Sequence, residues 1–159
     1  MKEKTDVIIL NKPVGYSVLE AIELLEEKKT TYTHSISNLD SNSEGLVVFM
    51  SENQSIESEV YENEYEITID DYLSKAAENI LTKGMNIDGK NYSGIKLIEE
   101  KHKGKRSVVR ASSTKTNDIE IKKMFKAIGY HTVSIRRIRI GKFKLGVLSI
   151  GRWKIVNNQ

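Results

Sequence analysis

Asn38-Leu39-Asp40-Ser41-Asn42-Ser43-Glu44-Gly45-Leu46 places an acid in a polar, turn-prone run that opens directly into Leu46-Val47-Val48-Phe49-Met50. That apolar segment is short and β-branched enough for a buried strand. The strand fixes what precedes it, and two readings of Asp40 follow. An Asp ahead of a Ser/Asn/Gly cluster ordinarily hydrogen-bonds its own backbone as a turn residue. It can also be a functional acid mounted on a rigid frame, and its company elsewhere in the chain decides between the two.

Upstream, Asp6 to Leu10 reads as a buried strand that ends at Asn11-Lys12-Pro13, where the chain's only proline removes a donor. Val14-Gly15-Tyr16 is a turn. Ser17 and Glu20 form a capping box, and Val18, Ala21, Ile22 and Leu25 recur at helical spacing, which predicts a helix over 17–28. Thr30 to Ser37 is polar and β-branched, a loop or short strand leading to Asp40. Downstream, Ser51 to Glu62 is acidic with little apolar periodicity, an exposed connection with one helical turn. Glu64-Tyr65-Glu66-Ile67-Thr68-Ile69-Asp70 alternates, so Tyr65, Ile67 and Ile69 share one face of a half-buried strand.

Asp70 or Asp71 then caps a helix through Leu73, Ala77, Ile80 and Leu81, and Gly84 ends it. Asp88-Gly89 is a hairpin turn, and Ile95 to Ile98 and Ser107 to Ala111 are strands flanking the basic loop Lys101 to Arg106. Asn117 and Glu120 are a second capping pair. They precede the stripe Ile121, Met124, Phe125 and Ile128, with Lys122, Lys123 and Lys126 opposite. Thr132 to Ile140, Lys142 to Ser149 and Arg152 to Val156 form short strands separated by glycines, as in an antiparallel meander. Sheet and helix interleave without a βαβ repeat, which argues for α+β: a mostly antiparallel sheet with flanking helices. Residues 1–159 make one domain or two closely packed lobes.

The 38% hydrophobic and 30% charged content exclude a disordered chain. The absence of cysteine excludes disulfides and thiolate chemistry. His34, His102 and His131 lack ligand spacing. No apolar run approaches the ~20 residues that span a bilayer, and Met1 to Lys4 leads into no signal-peptide core, so a cytoplasmic protein without a membrane partner is expected. The net charge of +3 hides an asymmetry. Residues 1–80 hold six lysines and no arginine against 17 acids, whereas residues 81–159 hold 19 basic residues against five acids. Either the basic half binds a polyanion, nucleic acid above all, or the two oppositely charged halves attract each other.

Four segments, in order, resemble the RsuA-type family of pseudouridine synthases. Leu10-Asn11-Lys12-Pro13-Val14-Gly15 resembles the family's LNKPxG, and Leu39-Asp40-Ser41-Asn42-Ser43-Glu44-Gly45-Leu46 resembles its GRLDxxSEGL loop. Glu64-Tyr65 opening an alternating strand resembles its K-E-Y strand. Lys122-Lys123-Met124-Phe125 through Gly129-Tyr130, then Val133, Arg137 and Ile140-Gly141, resembles its QxRRMFxxxGYxVxxLxRxxIG ending. The chain departs from the pattern at Asn38, where the family has arginine, at Asn63, where it has lysine, and along Lys115 to Lys122. The first motif begins at residue 10, so the resemblance is to a bare catalytic domain without the S4-type RNA-binding domain of many relatives.

The resemblance implies an RNA pseudouridine synthase acting as a monomer on a uridine of ribosomal RNA, with neither metal nor organic cofactor. Its alternative is a relative that binds RNA without catalysis. The implied catalytic residues are Asp40 as nucleophile or base, Lys122 as the cation keeping Asp40 ionised, and Tyr65 as the aromatic that stacks on the uracil or acts on its C5 proton. Leu39 and Ile135 would line the pocket. Lys12 is implied as a phosphate or structural contact. Lys101, Lys103, Lys105, Arg106, Lys123, Arg136, Arg137 and Arg139 are available for RNA phosphates. On a regular strand Arg137 and Arg139 share a face with Val133 and Ile135. Each also has a plainer reading: Lys122 as a solvated helix residue, Tyr65 as a core aromatic, Ile135 as core, and any one cation as surface charge.

Overall fold

A computed structural model describes residues 6–51 and 61–157. In chain order the first elements are β1 (Asp6–Lys12), α1 (Val18–Ala21), a 3-10 segment (Ile22–Thr30), β2 (Tyr32–Ser35), β3 (Glu44–Ser51) and β4 (Asn63–Ile69). Then come α2 (Lys75–Lys83), β5 (Gly84–Ile87), β6 (Lys90–Ser93), β7 (Lys96–Lys103), β8 (Arg106–Ser113) and α3 (Asp118–Ala127). The chain ends with β9 (Thr132–Ile140), β10 (Phe143–Lys144) and β11 (Trp153–Asn157). The described residues divide into two compact units, one of 6–51 with 142–157 and one of 61–141. The acidic connection expected after Ser51 and the start at Met1 to Lys4 lie outside the described residues, apart from Ser51, Tyr61 and Glu62.

In the first unit β1 pairs antiparallel with β3 on one side, Ile8 opposite Phe49, and with β11 on the other, Ile8 opposite Ile155. β2 extends this sheet on the far side of β3. Val7 to Leu10 and Leu46 to Phe49 are buried on both faces. Each large side chain so removed from water contributes about 1.5–3 kcal/mol. β1 stops where Pro13 lacks a donor, as expected. The capping box of Ser17 and Glu20 is present, but the expected helix over 17–28 is a single α turn followed by the 3-10 segment, kinked at Glu26 with φ 60°. Beyond Leu25, the run Glu26 to Lys29 carries no apolar residue to hold a second helical turn against the sheet. The expected terminal meander is also corrected. Lys142 to Ser149 yields only β10 and turns, preceded by Gly141 and interrupted by Gly146, both at positive φ, while β11 closes onto β1.

In the second unit the strand order is β9-β4-β8-β7, every pairing antiparallel. Tyr65, Ile67 and Ile69 are buried on one face of β4, as the alternation requires. α2 is capped by Ser74, whose hydroxyl accepts the Ala77 N–H, and not by Asp70 or Asp71. Those two carboxylates instead accept the backbone N–H of His131 and Tyr72. Asp88 and Gly89, with φ 50° and 86°, form the primed turn of the β5–β6 hairpin. Asn117 and Glu120 make the expected capping box at α3. The fold is therefore α+β with a mostly antiparallel sheet.

Candidate active site

The first unit carries Asp40 in the turn between β2 and β3, half-buried. Its Oδ2 accepts the Asn42 N–H at 3.2 Å and its carbonyl accepts the Ser43 N–H at 3.0 Å. The turn reading of Asp40 thus describes its local geometry, and what surrounds the turn decides how rigid that geometry is. Lys12, 0% exposed, donates all three of its ammonium hydrogens to backbone carbonyls: Pro13 at 2.9 Å, Tyr16 at 2.6 Å and Ser43 at 2.6 Å. The Gly15 N–H donates to the Ser41 carbonyl at 2.7 Å, and Gly15 adopts φ 97°, a conformation open to glycine without strain. The turn at Pro13–Tyr16 and the turn bearing Asp40 are so bolted together at two points just after the acid. Of the two roles open for Lys12, the fold gives it the structural one. An ammonium with no exposed surface and its donors engaged inside the protein is not a phosphate contact. Leu39 is buried under the same turn.

The second unit brings together Tyr65, Arg137 and Ile135, all 1% exposed. Tyr65 on β4 lies opposite Arg137 on β9, and Ile67 opposite Ile135. The Arg137 guanidinium donates to the Tyr65 hydroxyl. Burial pushes the Tyr65 phenol above its ordinary value; the Arg137 charge pulls it back, and the buried carboxylate of Asp118 at the first turn of α3, with Glu120, pushes it up again. Burial likewise lowers the Arg137 pKa, opposed by Tyr65 and Asp118. The outcome is a neutral phenol at neutral pH, fit for stacking and hydrogen bonding rather than for removing a proton. A base can meet a ring this buried only through its rim, or after neighbouring side chains move aside. Lys122 is half-buried on α3 and makes no ion pair within its unit among the described residues.

Arg137, expected among the cations available for RNA phosphates, is instead buried. The register differs from the expected one too. Between the pairs Glu64–Arg139 and Tyr65–Arg137 the ladder slips by one residue, a bulge that turns Arg139 to the face of Glu64 and away from that of Arg137. Arg139 then meets Glu62 and Glu64; Arg136 meets Glu66; Arg110 meets Glu64 at 3.3 Å and Glu99 at 3.4 Å. Glu64 and Glu66 of β4 therefore neutralise three arginines of the basic half, Arg110, Arg136 and Arg139, all within the second unit. Lys101 lies 4.0 Å from Glu99. Lys103, Lys105, Arg106 and Lys123 are exposed and make no ion pair among the described residues. Asp118 was missed because an acid beside a capping asparagine normally serves the helix terminus, and nothing in the spacing shows that this one is buried.

Among the described residues no cluster of three His, Asp or Glu side chains could hold a metal ion, and no helix is long and apolar enough to cross a membrane. No family model matches the chain. An RNA pseudouridine synthase of Helicobacter pylori is 24% identical over 184 residues, covering 99% of this chain and 69% of that protein. The ribosomal large subunit pseudouridine synthase B of Buchnera aphidicola is 27% identical over 173 residues, covering 99% of this chain and 67% of its own length. Among solved structures, that of a pseudouridylate synthase superposes with a TM-score of 0.81 at 20% identity, over 98% of this chain and 72% of the other. An archaeal box H/ACA Nop10–Cbf5 complex matches with a TM-score of 0.64 at 20% identity, over 89% of this chain and 49% of that one. The fold is thus that of the pseudouridine synthases. In sequence the chain is similar, at 24–27% identity, to RNA pseudouridine synthases, isomerases that act on RNA.

Proposed function

We propose that this protein converts a uridine of ribosomal RNA to pseudouridine, as a monomer in the cytoplasm, with Asp40 as the carboxylate that starts the reaction. The reaction breaks the bond from ribose C1′ to uracil N1, leaving the electron pair on N1, turns the base, joins C1′ to C5, and ends as C5 gives up its proton and N1 takes one up. Asp40 acts either by attacking C1′ or by taking a ribose proton to give a glycal. Lys122 is the cation that the resemblance pairs with it. Tyr65 meets the uracil as a neutral ring held by Arg137, with Leu39 and Ile135 as apolar walls. The exposed cations Lys101, Lys103, Lys105, Arg106 and Lys123 contact phosphate, and the glutamate-bound Arg136 and Arg139 contribute less.

The observation that carries this reading is the bolted turn. A buried lysine and a left-handed glycine hold the carbonyls of Ser43 and Ser41, three and one residues after Asp40, and tie that turn to Pro13–Tyr16. A solvent-facing turn needs no such frame; a reacting carboxylate does. The name of the Buchnera relative supports ribosomal RNA as substrate. The test is release of the C5 hydrogen from unmodified large-subunit ribosomal RNA by wild-type and Asp40→Asn protein. Asp40→Asn is expected to lose at least about 10³-fold in rate, roughly 4 kcal/mol of barrier. Equal rates for the two proteins, or none with wild type, would overturn the assignment.

A further inference from the structure

We propose that a lysine-rimmed pocket on the first unit seats a single-stranded stretch of the RNA on which the protein acts, an inference that rests on the functional reading above. The pocket holds about 370 Å³ and is lined by Ile9, Lys142, Phe143, Lys144, Lys154, Val156 and Asn157. That volume falls in the ~300–1,000 Å³ range of sites that take small organic groups. Its floor is apolar: Ile9 and Phe143 are buried, and Val156 lies two residues beyond Lys154 on the same face of β11. Its walls are cationic, with Lys142, Lys144 and Lys154 all exposed.

Lys154 stands opposite Ile9 in register, so one ammonium stem rises directly beside the floor. The Lys142 ammonium lies 5.5 Å from the centroid of the Phe143 ring. The side chains of Lys144 and Lys154 make no ion pair or hydrogen bond among the described residues. The contrast with Arg110, Arg136 and Arg139 is instructive, because each of those is matched by a glutamate. One acid, Asp6, belongs to the same strand pair and stands opposite Asn157. Lys144 and Lys154, with no acid paired to either among the described residues, concentrate positive potential where an apolar surface is also offered.

An inorganic anion would use the walls alone. A nucleic acid strand uses both, its phosphates on the ammonium groups and the face of a base on the floor, which is how sequence-tolerant single-strand binding is built. A duplex stacks its bases inward and offers the floor nothing.

The experiment is an anisotropy titration of a fluorescent ten-nucleotide single-stranded RNA with wild-type protein and the Lys144→Ala/Lys154→Ala double variant across a salt series. Two lost phosphate contacts reduce the slope of log affinity against log salt by about 1.4, which is about 25-fold in affinity near 0.1 M salt if the two proteins bind equally at 1 M. Lys144→Arg/Lys154→Arg should keep the wild-type slope. Both positions are exposed, and unchanged thermal melting shows that the variants fold. Coincident slopes for wild type and the alanine variant overturn this inference and leave the functional reading standing. If wild type binds no RNA, single-stranded or folded, both fall together.

Discussion

Replacing Lys12 with methionine separates a strut from an RNA contact. Methionine fills nearly the volume of the lysine stem, so the change removes the ammonium without opening a cavity. Three carbonyls lose their donor. That of Ser43 is buried and costs about 2 kcal/mol to leave unpaired, and those of Pro13 and Tyr16, partly wet, cost about 1 kcal/mol each. Relief from keeping a charge out of water offsets part of this sum. A net loss of about 2–3 kcal/mol is expected in urea unfolding at 25 °C, together with loss of catalysis, since the carbonyl of Ser43 sits three residues from Asp40. The salt slope of RNA binding should not move. A phosphate contact predicts the reverse: unchanged stability and a slope shallower by about 0.7–0.9. Lys12→Met protein within about 0.5 kcal/mol of wild type would refute the reasoning.

Tyr65→Phe should cost about 1.5–3 kcal/mol through the lost bond to Arg137, yet keep turnover within about tenfold in a kcat measurement, because the ring remains. A loss beyond about 10³-fold would instead mean that the hydroxyl moves a proton. Glu100 is raised by burial but held lower on balance by the Ser107 hydroxyl, the Leu73 N–H and His102, so its pKa lies below the usual carboxylate value of 4.5. Its contribution to stability is therefore complete above pH 4.5 and fades as pH falls through the lowered value; Glu100→Gln should be less stable than wild type at pH 7, the gap closing in acid melts. Lys103→Ala/Lys105→Ala should weaken RNA binding and flatten its salt slope. Arg136→Ala should lower stability by up to about 1 kcal/mol through the lost cross-strand pair with Glu66 and move the slope little. Gly94→Ala should destabilise by at least about 2 kcal/mol in thermal melts, since its methyl would meet the Thr82 backbone carbonyl.

Much of the architecture was legible where a local rule and the tertiary context agree. Both capping boxes, the stop at Pro13, the primed turn at Asp88-Gly89 and the alternation of Tyr65, Ile67 and Ile69 all appear as read. What escaped was set by partners far away in the chain. Ile22 to Thr30 carries a good first turn and then no apolar stripe, and only packing shows that the helix tightens and kinks. That β11 joins β1 cannot be read from either strand, because an antiparallel partner is chosen by edge and register, not by proximity. The bulge in β9 moved Arg139 onto the glutamate face, and one slipped residue inverted the pattern on which the shared arginine face depended. Lys12 was legible as part of a motif but not as buried, since lysine is among the residues least expected inside.

The pairing of Leu10 with Trp153 has a consequence for how the chain acquires its structure during synthesis. The second unit is one uninterrupted stretch and can mature as soon as it clears the ribosome, whereas the sheet of the first must wait for a strand made more than a hundred residues after its central one. Until then β1 has one side unmatched, and the ordering cost of so distant a closure falls on the last step. A nascent chain arrested before residue 152 should thus contain a protease-resistant middle and a vulnerable beginning, the inverse of the order in which the two were translated.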